Sequence, residues 1–268
     1  MLFTHYSKTL LTNRALWGWG VLFMVFWLII GGFVESTGLP KGNHMVALSY
    51  TASWYGLINL FSLSSLAISI AFSLIYSTHS LAYSFRYTRL KPSSYLVNLV
   101  ASSLIMGVIL SVLMLVSTYA IFSYKLGAGV APANPALTLP IAALSGVFMY
   151  AFATLLVLIL INSLGLKNQS FVSFIPLLLG YVFGFLQLFL SLPSLVIYAS
   201  PLSAIQDLLY YAYSGQPVPS VLSNPSSQTL RTPYLTVSLV AWTLVLLVAD
   251  SILLRKIKPR SIEEARQI

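Results

Sequence analysis

The chain lacks cysteine and is poor in charged residues. None of its 268 residues is cysteine, which excludes disulfides, thiolate metal sites and thiol catalysis. Only 7% of the residues are charged, whereas a soluble domain carries about a quarter. Hydrophobic residues make up 58% of the chain and the mean hydropathy is +0.88, so the composition predicts an integral membrane protein.

Few residues could support catalysis or metal binding. The chain has five acidic residues: Glu35, Asp207, Asp250, Glu263 and Glu264. Three histidines without metal-binding spacing are present: His5, His44 and His79. Only Asp250 falls in a predicted span, where we expect an ion pair with Arg255 or Lys256. No G-x-x-x-x-G-K-[ST] nucleotide loop occurs. We therefore expect no enzyme activity, metal or cofactor in this chain.

Six apolar stretches are long enough to cross a bilayer, which takes about 20 helical residues. They cover residues 15–34, 55–76, 95–119, 139–163, 171–197 and 234–254. The third to fifth exceed the minimum length, so we expect tilts or kinks, with Pro176 and Pro193 as kink sites in the fifth. The predicted fold class is an all-α membrane protein, with residues 1–268 forming a single domain of six transmembrane helices.

Basic residues concentrate on one side of this predicted topology. If the N-terminus is inside, all but three of the 14 lysines and arginines lie in inner segments, the exceptions being Lys41, Lys125 and Arg231. This bias predicts two cytoplasmic termini and a multi-pass protein of the cell membrane. It also explains the net charge of +9 without a nucleic-acid partner.

Two short segments outside the spans have helical patterns. Residues 1–14 place Leu2, Phe3, Tyr6 and Leu10 on one face, with Lys8 opposite, which is typical of a helix lying in the membrane interface. The segment 198–215 follows the fifth span. Its residues predict an N-cap, a first helical position and a C-terminal glycine: Ser200, Pro201 and Gly215. An apolar stripe lies between them: Leu202, Ile205, Leu208 and Leu209. We expect a short amphipathic helix on the outer interface, between helices five and six.

Polar residues form a continuous stripe on the second predicted helix. Its members fall within an arc of about 120° at 100° per residue: Tyr55, Asn59, Ser62, Ser65, Ser69, Ser73 and Tyr76. Such a stripe fits either tight helix packing by small residues or the wall of a translocation path. Under the second interpretation, the path residues are Asn59, Ser62, Ser65, Ser69 and Ser73.

The fifth predicted helix carries small and polar residues on one face. Gly180 and Gly184 form a G-x-x-x-G pair, which lets two helix backbones approach closely. Gln187 lies on the same face, and an amide at that depth needs a partner or water. We interpret Gln187 either as a path residue or as an interhelix hydrogen-bonding group.

The polar interval 77–94 separates the second and third spans. Aromatic and basic residues alternate within it: Tyr83, Phe85, Arg86, Tyr87, Arg89 and Lys91. Pro92 is expected to stop any helix that the interval forms. The interval is either an ordinary basic inner loop or a contact surface for a partner outside the membrane.

Two segments resemble the permeases of the two-type ABC exporters, also called type V. YSTHSLAYSFRYTRLKPSSYLVNLVAS, residues 76–102, is similar to the stretch where helix two ends, a coupling segment follows and helix three begins after a Pro-Ser-like turn. YASPLSAIQDLLYYAYSG, residues 198–215, resembles the family's outer helix, which begins after a proline and ends at a glycine. The number of spans and both predicted cytoplasmic termini agree with this architecture.

The resemblance implies partners and roles for particular residues. The permease would form a dimer with an identical or homologous chain in membrane lipid, and ATP with Mg would be bound by a separate ABC ATPase subunit. That ATPase would contact the interval 77–94 through Tyr83, Phe85, Arg86, Arg89 and Lys91. Helices two and five would line the translocation path, and Gln187 would be one of the residues in its wall. The expected cargo is neutral or amphipathic.

Two other functions remain open at this stage. The chain could be a membrane scaffold or assembly protein that moves nothing, although a scaffold requires neither polar stripes nor an amphipathic outer helix. It could also be a gradient-driven secondary transporter, which would usually need buried ionisable groups. The sequence shows almost none of these and no inverted repeat.

Overall fold

Six membrane-length helical segments dominate the computed structural model, which describes residues 2–39, 43–88, 90–160 and 170–257. The α-helices are α1 (Leu2–Leu11), α2 (Arg14–Trp17), α3 (Phe23–Phe33), α4 (His44–Tyr87), α5 (Pro92–Leu126), α6 (Pro135–Ile159), α7 (Ser170–Ser173), α8 (Ile175–Phe189), α9 (Ser194–Ala199), α10 (Pro201–Ser214) and α11 (Thr232–Leu254). A short antiparallel pair, β1 (Val218–Pro219) and β2 (Thr229–Leu230), precedes α11.

The candidate spans confirm an all-α, multi-pass architecture. They are Arg14–Gly38, His44–Ser77, Pro92–Leu126, Pro135–Ile159, Phe171–Phe189 and Thr232–Leu254. The first span combines α2 and α3 with an intervening π-helical turn, Gly18–Leu22. A π-turn leaves backbone carbonyls without their usual helical partner, so a neighbouring donor is needed there.

Helix α4 is the centre of the bundle. All residues from 51 to 67 are buried, and α5, α6, α8 and α10 pack around them. The helix starts at His44, where the Asn43 side chain accepts a hydrogen bond from the Val46 amide. Its 44 residues correspond to about 66 Å, roughly twice the thickness of the hydrocarbon core. Helix α4 therefore extends beyond the bilayer.

The interval after the second span is mostly helical. Residues 77–87 are the last turns of α4 and α5 starts at Pro92, so of the loop expected over 77–94 the described residues outside a helix are 88, 90 and 91. Pro92 occupies the first turn of α5, where its missing amide costs no helical hydrogen bond. It therefore starts the next helix, whereas the sequence analysis expected it to stop the preceding one.

The fifth span ends earlier than expected. Helix α8 ends at Phe189, whereas the apolar run continues to residue 197. Chain from the β1–β2 connection caps this end, because the amides of Leu222 and Ser223 donate to the carbonyls of Gln187 and Leu188 at 3.1 and 3.2 Å. The remaining apolar residues turn back as α9.

Helices α9 and α10 form a hairpin that enters the bundle between the fifth and sixth spans. The tip of the hairpin is fixed to α11, because Trp242 Nε1 donates a 2.9 Å hydrogen bond to the Ala199 carbonyl. Trp242 lies ten residues into α11, about 15 Å along its axis. The other end of α10 returns to the connection before α6, where the Ala133 and Asn134 amides donate to the carbonyls of Tyr213 and Ala212. The hairpin thus reaches about halfway through the bundle and returns.

The predicted boundaries of α10 are confirmed, but its predicted environment is wrong. Ser200 caps the helix by accepting from the Ser203 amide, Pro201 opens it, and Gly215 follows it at φ 66°. However, every α10 residue from 202 to 210 is buried, including Gln206 and Asp207. The helix packs against α4, α6, α8 and α11, so its polar face lies against protein and not at an interface.

Helix α1 forms as expected, and its apolar face lies against protein. The Tyr6 ring packs edge-on against Tyr95 of α5 at 5.4 Å, and Ser7 Oγ donates to Ser102 Oγ at 3.1 Å. Leu10 is buried while Lys8 is exposed, which matches the predicted two-sided pattern. The helix is therefore held beside the start of α5.

The two ends of the bundle differ in charge. One end, called here the basic end, contains α1, the C-terminus of α4, the start of α5 and the C-terminus of α11. Among the described residues it carries six basic side chains: Lys8, Arg14, Arg86, Lys91, Arg255 and Lys256. The opposite end carries Lys125 and Arg231 among the described residues.

Candidate functional site

A groove of about 800 Å³, called here the polar groove, opens near the basic end between α1, α4 and the start of the fifth span. Hydroxyl and aromatic side chains alternate on its wall. It is lined by Thr9, Thr12, Asn13, Ala15, Trp19, Ser65, Ile68, Ser69, Phe72, Ser73, Tyr76, Ser77, Phe174 and Leu177. None of these lining residues is charged. The groove offers hydrogen-bonding groups beside apolar faces, which suits a neutral or amphipathic ligand.

The serine stripe of α4 divides into two halves. Ser65, Ser69 and Ser73 line the polar groove, and the hydroxyls of Ser65 and Ser69 donate to their own helix at the carbonyls four residues earlier. Because their donors are satisfied locally, these hydroxyl oxygens can still accept from a ligand.

The other half of the stripe is committed to helix packing. Asn59 Nδ2 and Tyr55 both bond to Ser111 Oγ on α5, at 2.8 and 2.9 Å. Ser62 Oγ donates a 2.6 Å hydrogen bond to the Gly20 carbonyl in the π-helical turn. The structure therefore places Asn59 and Ser62 away from the polar groove, in contacts between helices.

The glycine pair on α8 faces α4. A Cβ atom added at Gly180 would lie 2.5 Å from Ser64 Oγ, and one at Gly184 would lie 2.8 and 2.9 Å from Leu57 and Phe61. Side chains at these positions would overlap α4, so the absence of a side chain is what permits this helix separation.

Gln187 lies in a buried polar junction between α8 and α10. Its Nε2 donates a 2.6 Å hydrogen bond to Asp207 Oδ1, and both residues have no exposed surface. The adjacent Gln206 donates through Nε2 to the Gly184 carbonyl at 3.4 Å, one turn away on α8. Of the two interpretations of Gln187, this geometry favours interhelix hydrogen bonding.

Among the described residues, Asp207 has no basic partner in this junction. Burial raises the pKa of the Asp207 carboxyl well above its ordinary range, and the hydrogen bond from Gln187 lowers it by less. Its second oxygen, Oδ2, has no hydrogen-bond partner among the described residues, nor do Oε1 of Gln187 and Oε1 of Gln206. A protonated carboxyl could donate to such an acceptor, so the neutral acid suits this site.

The ion pair expected for Asp250 is wrong. Asp250 is fully buried near Tyr150, and neither carboxyl oxygen has a hydrogen-bond partner in the described part of the chain. Helix α11 ends at Leu254, and Arg255 and Lys256, which follow it, are exposed. Asp207 and Asp250 are thus two buried carboxyls, where the sequence analysis expected almost no buried ionisable groups.

The last turns of α4 project from the basic end. Tyr83 is 46% exposed, and Arg86 and Lys91 are exposed as well. Phe85 instead turns inward and packs edge-on against Tyr95 at 5.8 Å, so it supports the projection and is not free for a partner. Arg89 lies outside the described residues.

In the described part of the chain, no three histidine or acidic side chains come together in a way that could hold a metal ion. The hydrogen bond between Gln187 and Asp207 was not predicted from the sequence. The only signal available was that Ser203, Gln206 and Asp207 share one face of a predicted helix.

Comparison with known proteins gives no match to a protein-family model and no significant match to a curated protein.

Proposed function

We propose that this chain is the transmembrane subunit of an ATP-driven exporter of the two-type ABC class. It forms the translocation path as a permease dimer and couples to a separate ATP-binding subunit. The basic end faces the cytoplasm, in agreement with the bias of lysine and arginine toward that side.

The observation that carries this proposal is the continuity of α4. One unbroken helix contains the wall of the polar groove, at Ser65, Ser69 and Ser73, and the projecting tip with Tyr83 and Arg86. The tip extends ten residues beyond the span that ends at Ser77, or about 15 Å. A force applied to the tip by a soluble partner would move the groove wall directly, which is what coupling requires.

The composition of the polar groove limits the cargo. Serine and threonine oxygens can bind hydroxyl or amide groups, and Trp19, Phe72 and Phe174 can pack against apolar parts. Because none of the described residues that line it is charged, these side chains offer no compensation for a small ion. The cargo is therefore a neutral or amphipathic molecule.

Co-purification tests the coupling. The double charge reversal Arg86→Glu and Arg89→Glu should release an ABC ATPase subunit, because the basic side chains of the interval 77–94 would meet acidic groups on it. The matched control reverses Lys125 and Arg231, two basic residues at the opposite end, and should leave the ATPase bound. The proposal fails if the Arg86/Arg89 variant retains the ATPase as well as the control does, or if the wild-type chain retains none.

The buried carboxyl of Asp207 favours a second candidate, a proton-driven secondary transporter. Such proteins use buried acids as proton carriers near helices that do not cross the whole membrane. Asp207 is buried on α10, which has only 14 residues and is too short to span. In vesicles without ATP, this candidate requires cargo uptake that follows an imposed pH gradient and is lost in Asp207→Asn. Uptake that needs ATP and ignores the gradient contradicts it.

A further inference from the structure

A second groove, called here the apolar groove, lies next to the tip of the α9–α10 hairpin, on the side toward the basic end. It has a volume of about 480 Å³ and is walled by α6, α8 and α11. Phe152 and Leu155 come from α6, Leu179 and Phe183 from α8, and Leu246 from α11. Its volume lies within the range of about 300–1,000 Å³ that is usual for small-molecule sites.

The described residues of its wall include two polar side chains, Ser200 and Trp242, and both already make hydrogen bonds. Ser200 Oγ accepts from the Ser203 amide at 3.3 Å, and Trp242 Nε1 donates to the Ala199 carbonyl at 2.9 Å. Water in this space would therefore find few of the two to four partners that a buried water needs. An unfilled groove would leave its apolar lining without van der Waals contacts on one side.

The position of the apolar groove identifies what can fill it. Leu202, at the hairpin tip, shares the groove with Phe148, which is 13 residues into α6, about 20 Å along its axis. A site at this position along α6 lies within the hydrocarbon core of the bilayer. The neighbouring outward residues Leu178, Val182 and Val245 are at least half exposed, so the groove adjoins apolar faces of α8 and α11.

We propose that the apolar groove binds one acyl chain of a membrane lipid. The chain inserts between α8 and α11 and packs against the tip of the α9–α10 hairpin. The contact is made by hydrocarbon alone, so the site selects for a chain and not for a head group. The inference does not depend on the proposed transport function, since it requires only that these helices lie in a bilayer.

Photolabelling distinguishes this site from ordinary lipid contact. The full-length protein is placed in phosphatidylcholine vesicles containing a small fraction of phosphatidylcholine with a diazirine in one acyl chain, and labelled residues are mapped by mass spectrometry. Phe148 and Leu202 are only 2% and 4% exposed, so a chain can reach them only by entering the groove. We expect label on both.

Two adjacent residues of α8 provide a matched pair of variants. Leu179→Trp fills the apolar groove and should remove most of the label from Phe148 and Leu202. Leu178→Trp makes the same change on the exposed side, outside the groove, and should preserve the label. If Leu179→Trp is not monodisperse on size exclusion, Val196→Trp narrows the groove from α9 and carries the same expectation.

Three results would overturn the proposal. The first is wild-type label confined to outward residues such as Val182 and Val245, which would mean bulk lipid only. The second is no label on either the groove or these outward residues, which would mean that a second copy of the chain covers this face. The third is equal groove labelling in Leu179→Trp and Leu178→Trp.

Discussion

Gln187 and Asp207 join the end of the fifth span to the buried helix that follows it, through a 2.6 Å hydrogen bond between two side chains with no exposed surface. The bond ties α10 to α8 by polar contact, while the glycines of α8 tie that helix to α4 by close packing. Helices α4, α8 and α10 are thereby held as one unit at this level of the bundle.

Removing the amide of Gln187 should destabilise the protein. In Gln187→Ala the Asp207 carboxyl loses its hydrogen bond in a buried site, which costs about 1–3 kcal/mol of unfolding free energy. Denaturant unfolding in detergent micelles measures the change. Gln228→Ala is the control because Gln228 is exposed, and equal stability of the two variants would contradict the assignment.

The contribution of Asp207 to the free energy of unfolding should fall as the pH rises. Since burial raises the pKa of Asp207 in the folded state, the folded protein keeps a proton that the unfolded chain loses above about pH 4. The stabilisation from this proton is complete below about pH 4 and is lost progressively as the pH rises toward the pKa of Asp207 in the folded protein. Asp207→Asn retains the acceptor for Gln187 and removes the titration. Its melting temperature should therefore depend less on pH than that of the wild type, and equal slopes would refute the prediction.

Adding a methyl group at Gly184 should separate α8 from α4. The new Cβ would lie within 3 Å of Leu57 and Phe61, and overpacking of this kind costs about 1–3 kcal/mol. Gly18 provides the comparison, because nothing lies within 4 Å of a Cβ there. Thermal unfolding should show a lower midpoint for Gly184→Ala than for Gly18→Ala. A similar midpoint for both would mean that α8 can shift freely.

Cysteine accessibility can map the two halves of the α4 stripe. Because the natural chain has no cysteine, each single variant carries one thiol. Ser73→Cys faces the polar groove and should react with a water-soluble maleimide, whereas Ser62→Cys is packed against the Gly20 carbonyl and should resist it. Mass spectrometry of the labelled protein gives the extent of reaction. Reaction at position 62 equal to that at 73 would show that the groove continues along the whole stripe.

The sequence predicted features that depend on local chemistry. The start and end of α10 followed from Ser200, Pro201 and Gly215, since capping and a left-handed residue are determined within one turn. The six spans followed from the length of the apolar runs. The extension of α4 also had a local signal that was missed, because no glycine or proline occurs between residues 57 and 91.

Features that depend on distant partners could not be predicted. A helix containing Gln206 and Asp207 looks like a surface helix until Gln187, twenty residues earlier, is known to supply the donor. The stripe of α4 likewise looked uniform. Whether each member faces a groove or another helix is decided by residues on other elements, such as Ser111 and Gly20.

The burial of α10 has a consequence for how the chain is made. Its walls are α4, α6, α8 and α11, and the last of these is the final helix that the structure describes. A segment that carries a carboxyl and an amide side chain, Asp207 and Gln206, would be a poor candidate for insertion into lipid by itself. We therefore expect α10 to take its final place only after α11 has entered the membrane, which would make completion of the bundle a late step of biogenesis.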